Sequence, residues 1–176
     1  MIKNKIQIFV TCFLLLISMI FLYSCKIGYS FTGASIAPDV KTVSIKTFQN
    51  VAPLAQPTLS QTFTESLKDI FLTQTNLSLV EKGGDLHFEG KITGYSVAPV
   101  AIQGNQVSTA SLNRLTITVQ VKFINTKDEK QNFEQSFSRF ADFDASRNLA
   151  SVENELTKDI NSQLSQDIFN KAVTNW

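Results

Sequence analysis

The stretch Arg114-Leu115-Thr116-Ile117-Thr118-Val119-Gln120-Val121-Lys122-Phe123 decides the fold. Apolar and polar residues alternate five times in succession over residue types that favour extended backbone. Successive side chains on a strand point to opposite faces, so this is a β-strand with one face buried and one in water. A sheet that is half solvated needs a second layer on its apolar face, and the rest of the chain must supply it.

Toward the C-terminus, Asn125 to Lys130 carries polar and charged turn residues and reads as a hairpin connection. Phe133 and Phe137 belong to a returning strand, and Phe140 falls on the opposite parity. That change of parity predicts a bulge or twist near Ser138-Arg139. From Ser146 onward, Leu149, Val152, Leu156, Ile160, Leu164, Ile168 and Ala172 recur every three or four residues. The spacing predicts a long amphipathic helix, capped by Asp144 or Ser146, with Glu153, Lys158, Asp159 and Gln166 on its polar side.

Toward the N-terminus, Ala98 to Leu112 reads as a long loop in which Pro99, Val100, Ile102 and Val107 stand among small and amide residues. Hairpin loops usually run two to five residues, so this one is either a surface excursion or an apolar-tipped finger offered to a partner or a lipid. Before it, Leu86, Phe88 and Ile92 alternate with His87, Glu89 and Lys91. Gly90 and Gly94 are candidate bulges, because Tyr95 and Val97 carry apolar character on the other parity. Gly83-Gly84-Asp85 is turn chemistry, and Leu77 to Val80 is a short apolar stretch. Leu59, Phe63, Leu67, Ile70 and Phe71 predict a helix after Pro57 and Thr58. Val40 to Phe48 is a first strand, and Gln49 to Pro57 a loop. The order is therefore β-α-β-β-β-α: an α+β two-layer sandwich with two helices packed on one face of a four-stranded sheet.

The first 24 residues have a different character. Lys3 and Lys5 precede an apolar run that closes on Leu22-Tyr23-Ser24-Cys25. A charged start, an apolar core and a small residue before cysteine read as a secretion signal. The closing residues resemble a bacterial lipoprotein signal, which implies lipid attachment at Cys25 and cleavage before it. An uncleaved anchor is the alternative, since Ile6 to Tyr23 approaches the ~20 residues of a spanning helix. A plain unmodified cysteine is another. On the lipoprotein reading, residues 1–24 are the signal peptide, 25–39 a lipidated tether, and 40–176 a single α+β domain.

Composition limits the chemistry. With the two leader lysines removed, fourteen basic residues face fifteen acidic ones, which leaves no electrostatic footprint for nucleic acid. Of the two cysteines, Cys12 falls in the leader and Cys25 is the lipid candidate, so the domain has no thiol for a disulfide, redox pair or metal site. His87 is the single histidine. Asp85, His87 and Glu89 imitate a metal triad, but the same alternation describes an ordinary solvated strand face. Glu153 and Glu155, two apart on a helix, diverge and cannot act as an acid/base pair. No nucleophile elbow or phosphate loop is present. The chain does not read as an enzyme, and it implies no cofactor and no metal.

Gly28-Tyr29-Ser30-Phe31-Thr32-Gly33 resembles the glycine-aromatic-x-apolar-x-glycine opening of the LptE family of lipopolysaccharide-assembly lipoproteins. The strand from Asn113 to Val119, the Ser136-Phe137-Ser138-Arg139-Phe140 segment and the terminal helix are similar to a diverged branch of that family. The resemblance implies an outer-membrane lipoprotein, lipid-anchored on the periplasmic side, that plugs an LptD-type β-barrel during lipopolysaccharide transport to the cell surface. It makes lipopolysaccharide, the barrel and the membrane the partners. Lys91, Arg114 and Arg139 become candidate contacts for lipid phosphates, with Pro99, Ile102 and Val107 as candidate contacts at the loop. An accessory or binding lipoprotein of a different envelope transport complex, built on the same small sandwich, is the alternative.

Overall fold

The computed structural model describes residues 36–100 and 111–173. The proposed signal peptide, Cys25, most of the tether, Ile102 and Val107 lie outside the described residues. The elements are β1 (Thr42–Ile45), β2 (Gln49–Asn50), α1 (Leu59–Gln74), β3 (Ser78–Leu79), β4 (Leu86–Val100), β5 (Leu112–Asn125), β6 (Phe133–Asp144) and α2 (Leu149–Val173). A single 3-10 turn, Glu129–Gln131, joins β5 to β6 and is capped by the Asp128 side chain.

The α+β class holds, and among the described residues two helices lie over one sheet, but that sheet has six strands rather than four. Its path is β3-β1-β4-β5-β6, and β2 pairs with β4 further along the line of β1. The two additional strands have two residues each, too short to show any period. β2 falls where a loop was expected, and β3 uses the apolar stretch Leu77 to Val80. β1 runs parallel to β3 and β4, whereas β4, β5 and β6 form an antiparallel meander.

β5 is the middle strand of the meander, and its odd positions Leu115, Ile117, Val119, Val121 and Phe123 are all buried under the helices. α1 presents Leu59, Phe63, Leu67 and Phe71 to this layer, and α2 presents Val152, Ile160, Leu164, Ile168 and Phe169. Phenylalanines join the layers. Phe71 of α1 lies 4.9 Å from Phe88 of β4 and 5.1 Å from Phe169 of α2, and Phe88 lies 4.7 Å from Phe123. Each fully buried ring contributes about 1.5–3 kcal/mol of transfer free energy, so these contacts dominate the core.

Two expected irregularities resolve differently. The register of β4 against β5 shifts between Ile92 and Gly94, so one bulge near Thr93 turns Tyr95 onto the core face opposite Ile117. Gly90 stays in register opposite Val121. The β5–β6 ladder runs unbroken from Leu112–Asp144 to Phe123–Phe133, with no bulge at Ser138-Arg139. Phe140 sits on the outer face because the unbroken register sets it opposite Thr116, and there the guanidinium of Arg114 lies 3.6 Å above its ring in a cation-π contact.

Loop and cap assignments also shift. Residues 98–100 and 112 belong to β4 and β5, so the hairpin is paired further out than the sequence suggested, to Val100–Leu112. Pro99 is tolerated there because β1 and β2 pair only with the first part of β4, leaving its last residues without a neighbour on that side. Helix α2 begins at Leu149, where the Asn148 side chain accepts from the Ala150 N–H at 3.0 Å and so acts as the cap. Asp144 instead closes a turn on the Ser146 N–H at 2.8 Å. Thr58 precedes α1 without a side-chain cap bond.

Candidate functional site

The helices cover one face of the sheet and leave the other open, and of the candidate residues the open face carries Lys91 and Arg114. β4 contributes His87, Glu89 and Lys91 before the bulge and Ser96 and Ala98 after it. β5 contributes Arg114, Thr116, Thr118, Gln120 and Lys122. The face is mainly polar, with its charges gathered at the two ends and Leu112, Ile124 and Phe140 as apolar exceptions.

At one end, Glu89 bridges two lysines, with its carboxylate 2.7 Å from Lys46 Nζ and 3.0 Å from Lys122 Nζ. The Lys46 hydrogen bond and then that of Lys122 hold the Glu89 carboxyl down at about 2. Lys91, Gln120 and Glu134 complete a shallow depression of about 430 Å³. Three ammonium groups against two carboxylates make it suited to an anionic group.

Asp85 lies at the entry to β4 rather than on the strand face. Its Oδ2 accepts from the Lys41 N–H at 2.8 Å, the Thr42 N–H at 3.0 Å and the Thr42 hydroxyl at 2.9 Å, and Lys127 Nζ lies 3.1 Å from Oδ1. These partners, the Lys41 N–H first, hold its carboxyl well below the usual carboxylate range. Gly83 makes the preceding turn at φ 69°, a backbone conformation that side chains disfavour.

Asp85 and Glu89 both titrate lower in the folded protein than the ~4 of an unfolded carboxylate. Their stabilisation is therefore full above about pH 4–5 and is lost as the pH falls toward their folded values. Asp85→Asn is expected to lower the urea midpoint at pH 7 and to flatten its decline between pH 6 and 2.5. Parallel curves for variant and parent would remove this account of Asp85.

His87 does not join Asp85 and Glu89 in a metal site, and among the described residues no cluster of metal-ligating side chains occurs. Its Nδ1 lies 2.8 Å from Ser44 Oγ and its Nε2 lies 3.6 Å from Glu89. The order imitates a nucleophilic triad. Ser44 is completely buried, however, and its Oγ already accepts from the Gly84 N–H at 3.2 Å. The contact orients the ring and leaves no nucleophile that a substrate can reach.

The candidate cations are not brought together. Lys91 pairs with Gln120 in the ladder, whereas Arg114 pairs with Ala98, six residues further along β5. At ~3.3 Å per residue the two lie on the order of 20 Å apart on one face. Arg114 is held in a two-bond fork by Asp142, at 2.7 and 2.8 Å. Arg139 projects from the helix side of β6, where it forks onto Asp167 of α2. Among the described residues, Lys91 makes no ion pair. Pro99 is exposed near the end of β4, opposite Asn113.

One constellation has no signal in the sequence. Glu153, expected on the solvated side of α2, is buried and accepts a short hydrogen bond from the Tyr95 hydroxyl. Burial first, and then this carboxylate, push the Tyr95 phenol far above its ordinary value. Only the Thr93 bulge brings Tyr95 under the helix, so helical periodicity alone misplaces its partner.

Among the described residues no helix is long and apolar enough to cross a membrane. No curated protein sequence matches the chain. Among solved structures, the hypothetical protein CT253 from Chlamydia trachomatis aligns at 8% identity over 77% of this chain and 99% of its own, with TM-score 0.51. A putative neuraminyllactose-binding hemagglutinin homolog from Helicobacter pylori aligns at 10% identity over 82% and 89%, with TM-score 0.50. A minor lipoprotein from Acinetobacter baumannii aligns at 14% identity over 75% and 91%, with TM-score 0.47. At such identities the first two show a shared fold and nothing more. The family model described as LptE, lipopolysaccharide-assembly, matches residues 40–172, from just before β1 to the last turn of α2. The chain belongs to the LptE lipopolysaccharide-assembly family.

Proposed function

We propose that the protein is an outer-membrane lipoprotein, lipid-anchored through Cys25 on the periplasmic side, whose domain plugs an LptD-type β-barrel in lipopolysaccharide transport. The observation that carries this reading is the family match, which spans both helices and every strand. The mainly polar open face supports it, because large barrels of this class have polar interiors and a plug must present a largely polar surface to them. A leader ending at Cys25 supports it too, since the attached lipid would keep the plug beside its barrel. Two or more acyl chains give stable attachment, where one chain is marginal.

The role is binding and scaffolding, without covalent chemistry. Lys91, in the depression with Lys46 and Lys122, is the strongest candidate for a lipid phosphate, since Arg114 and Arg139 already hold carboxylates. Pro99, Ile102 and Val107 remain candidate contacts at the hairpin end. The alternative, an accessory lipoprotein of another envelope complex, draws on the fold being shared with proteins of other names. Affinity purification of the tagged full-length protein separates the two by the partner recovered: a large outer-membrane barrel, or the components of a different transporter.

A further inference from the structure

The two helices meet along a polar seam. Ser66 Oγ lies 3.1 Å from Ser165 Oγ, Asn161 Nδ2 donates to Thr62 Oγ1 at 3.3 Å, and Gln74 Nε2 donates to Gln166 Oε1 at 3.2 Å. Above the seam lies a groove of about 640 Å³. Sites for small ligands fall in the range of roughly 300–1,000 Å³. Apart from Leu59 and Ile70, every residue lining it has a polar side chain, and the Tyr95–Glu153 pair stands among them.

The floor of this groove has an unmet demand. Asn161 is 2% exposed, and its Oδ1 has no hydrogen-bond partner among the described residues. A buried carbonyl without a donor is rare enough in native folds to require an explanation. Asn161 lines the groove beside Thr62, Thr157 and Ser162, whose hydroxyls offer donors and acceptors to a ligand. The charges lining the groove are Glu65, Asp69 and Glu153 against Lys158. That excess of carboxylates repels phosphate and favours a neutral ligand rich in hydroxyls, with the half-buried Ile70 available to the apolar face of a sugar ring.

We propose that the groove between α1 and α2 is a saccharide-binding site. It is independent of the barrel reading and lies on the opposite side of the sandwich from the lysine depression. Envelope sugars come from two sources, the oligosaccharide of lipopolysaccharide and the glycan of the cell wall, and the test separates them. The full-length protein in detergent micelles is titrated calorimetrically with dephosphorylated core oligosaccharide, with chitotetraose and with inorganic phosphate. Saturable binding of either saccharide supports the site and names its source.

Ser162→Trp, an exposed position that fills the groove, is expected to weaken that binding at least tenfold. Asn161→Leu should weaken it at least fivefold while leaving the thermal midpoint unchanged or raised. Lys91→Ala should leave it unchanged. The proposal is overturned if neither saccharide binds at millimolar concentration. It is also overturned if inorganic phosphate competes for the site, or if Ser162→Trp binds like the parent protein.

Discussion

Gly90→Ala is expected to cost about 3 kcal/mol or more, at or above the top of the usual range for overpacking a core. A Cβ built at Gly90 lies 2.1 Å from the Gln120 carbonyl oxygen and 2.5 Å from Cε1 of Phe48. Neither obstacle can move cheaply. Gln120 belongs to the backbone of β5, and displacing it opens the ladder that buries Val119 and Val121. Phe48 is fully buried and stacks edge-on against Phe63 at 5.0 Å. Its own N–H donates to Thr64, and its carbonyl accepts from Ser60, so α1 fixes the ring from both sides of the peptide. Domains of this size have about 5–15 kcal/mol in total, so the variant forfeits a large share. Urea unfolding followed by circular dichroism measures it, and a loss under about 1 kcal/mol would show that the strands separate more easily than this geometry allows.

Phe71→Ala is expected to cost about 3–5 kcal/mol, the range for removing a buried aromatic ring and leaving a cavity. Phe71 is completely buried and touches rings from β4 and α2 at once, so its removal loosens both layers. Phe71→Leu keeps most of the volume and should lose less than half as much. In thermal unfolding the alanine variant should melt on the order of 10 °C lower. Equal losses for the two variants would mean that ring stacking, rather than filled volume, carries the effect.

These two positions also show how far the sequence can be read. Phe71 was legible as core because helical spacing aligns it with Leu59, Phe63 and Leu67. The β5 strand was legible because its two-residue period survives over ten positions. Gly90 was legible only as a glycine needing a reason: the sequence suggested a bulge, whereas the cause is the close approach of Phe48 and β5. A glycine within a strand is compatible with either, and only the tertiary structure decides.

The other departures share one cause, that residue type reports solvent preference and not position. Phe140 looked misplaced because burial was the assumed role of an aromatic, yet its ring supports Arg114. Glu153 looked solvated because it is charged, yet it lies buried against Tyr95. Asn161 and Ser165 are hydrophilic in type and buried in the helix seam. β2 and β3 are too short for any pattern. Of the open-face site, the alternation of His87, Glu89 and Lys91 was legible. The separation of Lys91 from Arg114, and the capture of Arg139 by Asp167, depend on register and on α2, which local patterns do not encode.

The central claim is that this domain acts as the partner of a lipopolysaccharide-transport barrel. Its most direct test is the composition of the complex recovered with the tagged full-length protein, extracted from native membranes in mild detergent and identified by mass spectrometry. The account predicts a large outer-membrane β-barrel of the LptD type, retained through size-exclusion chromatography and recovered poorly with Cys25→Ala. Recovery of the protein alone, or with the components of an unrelated transporter, would contradict it.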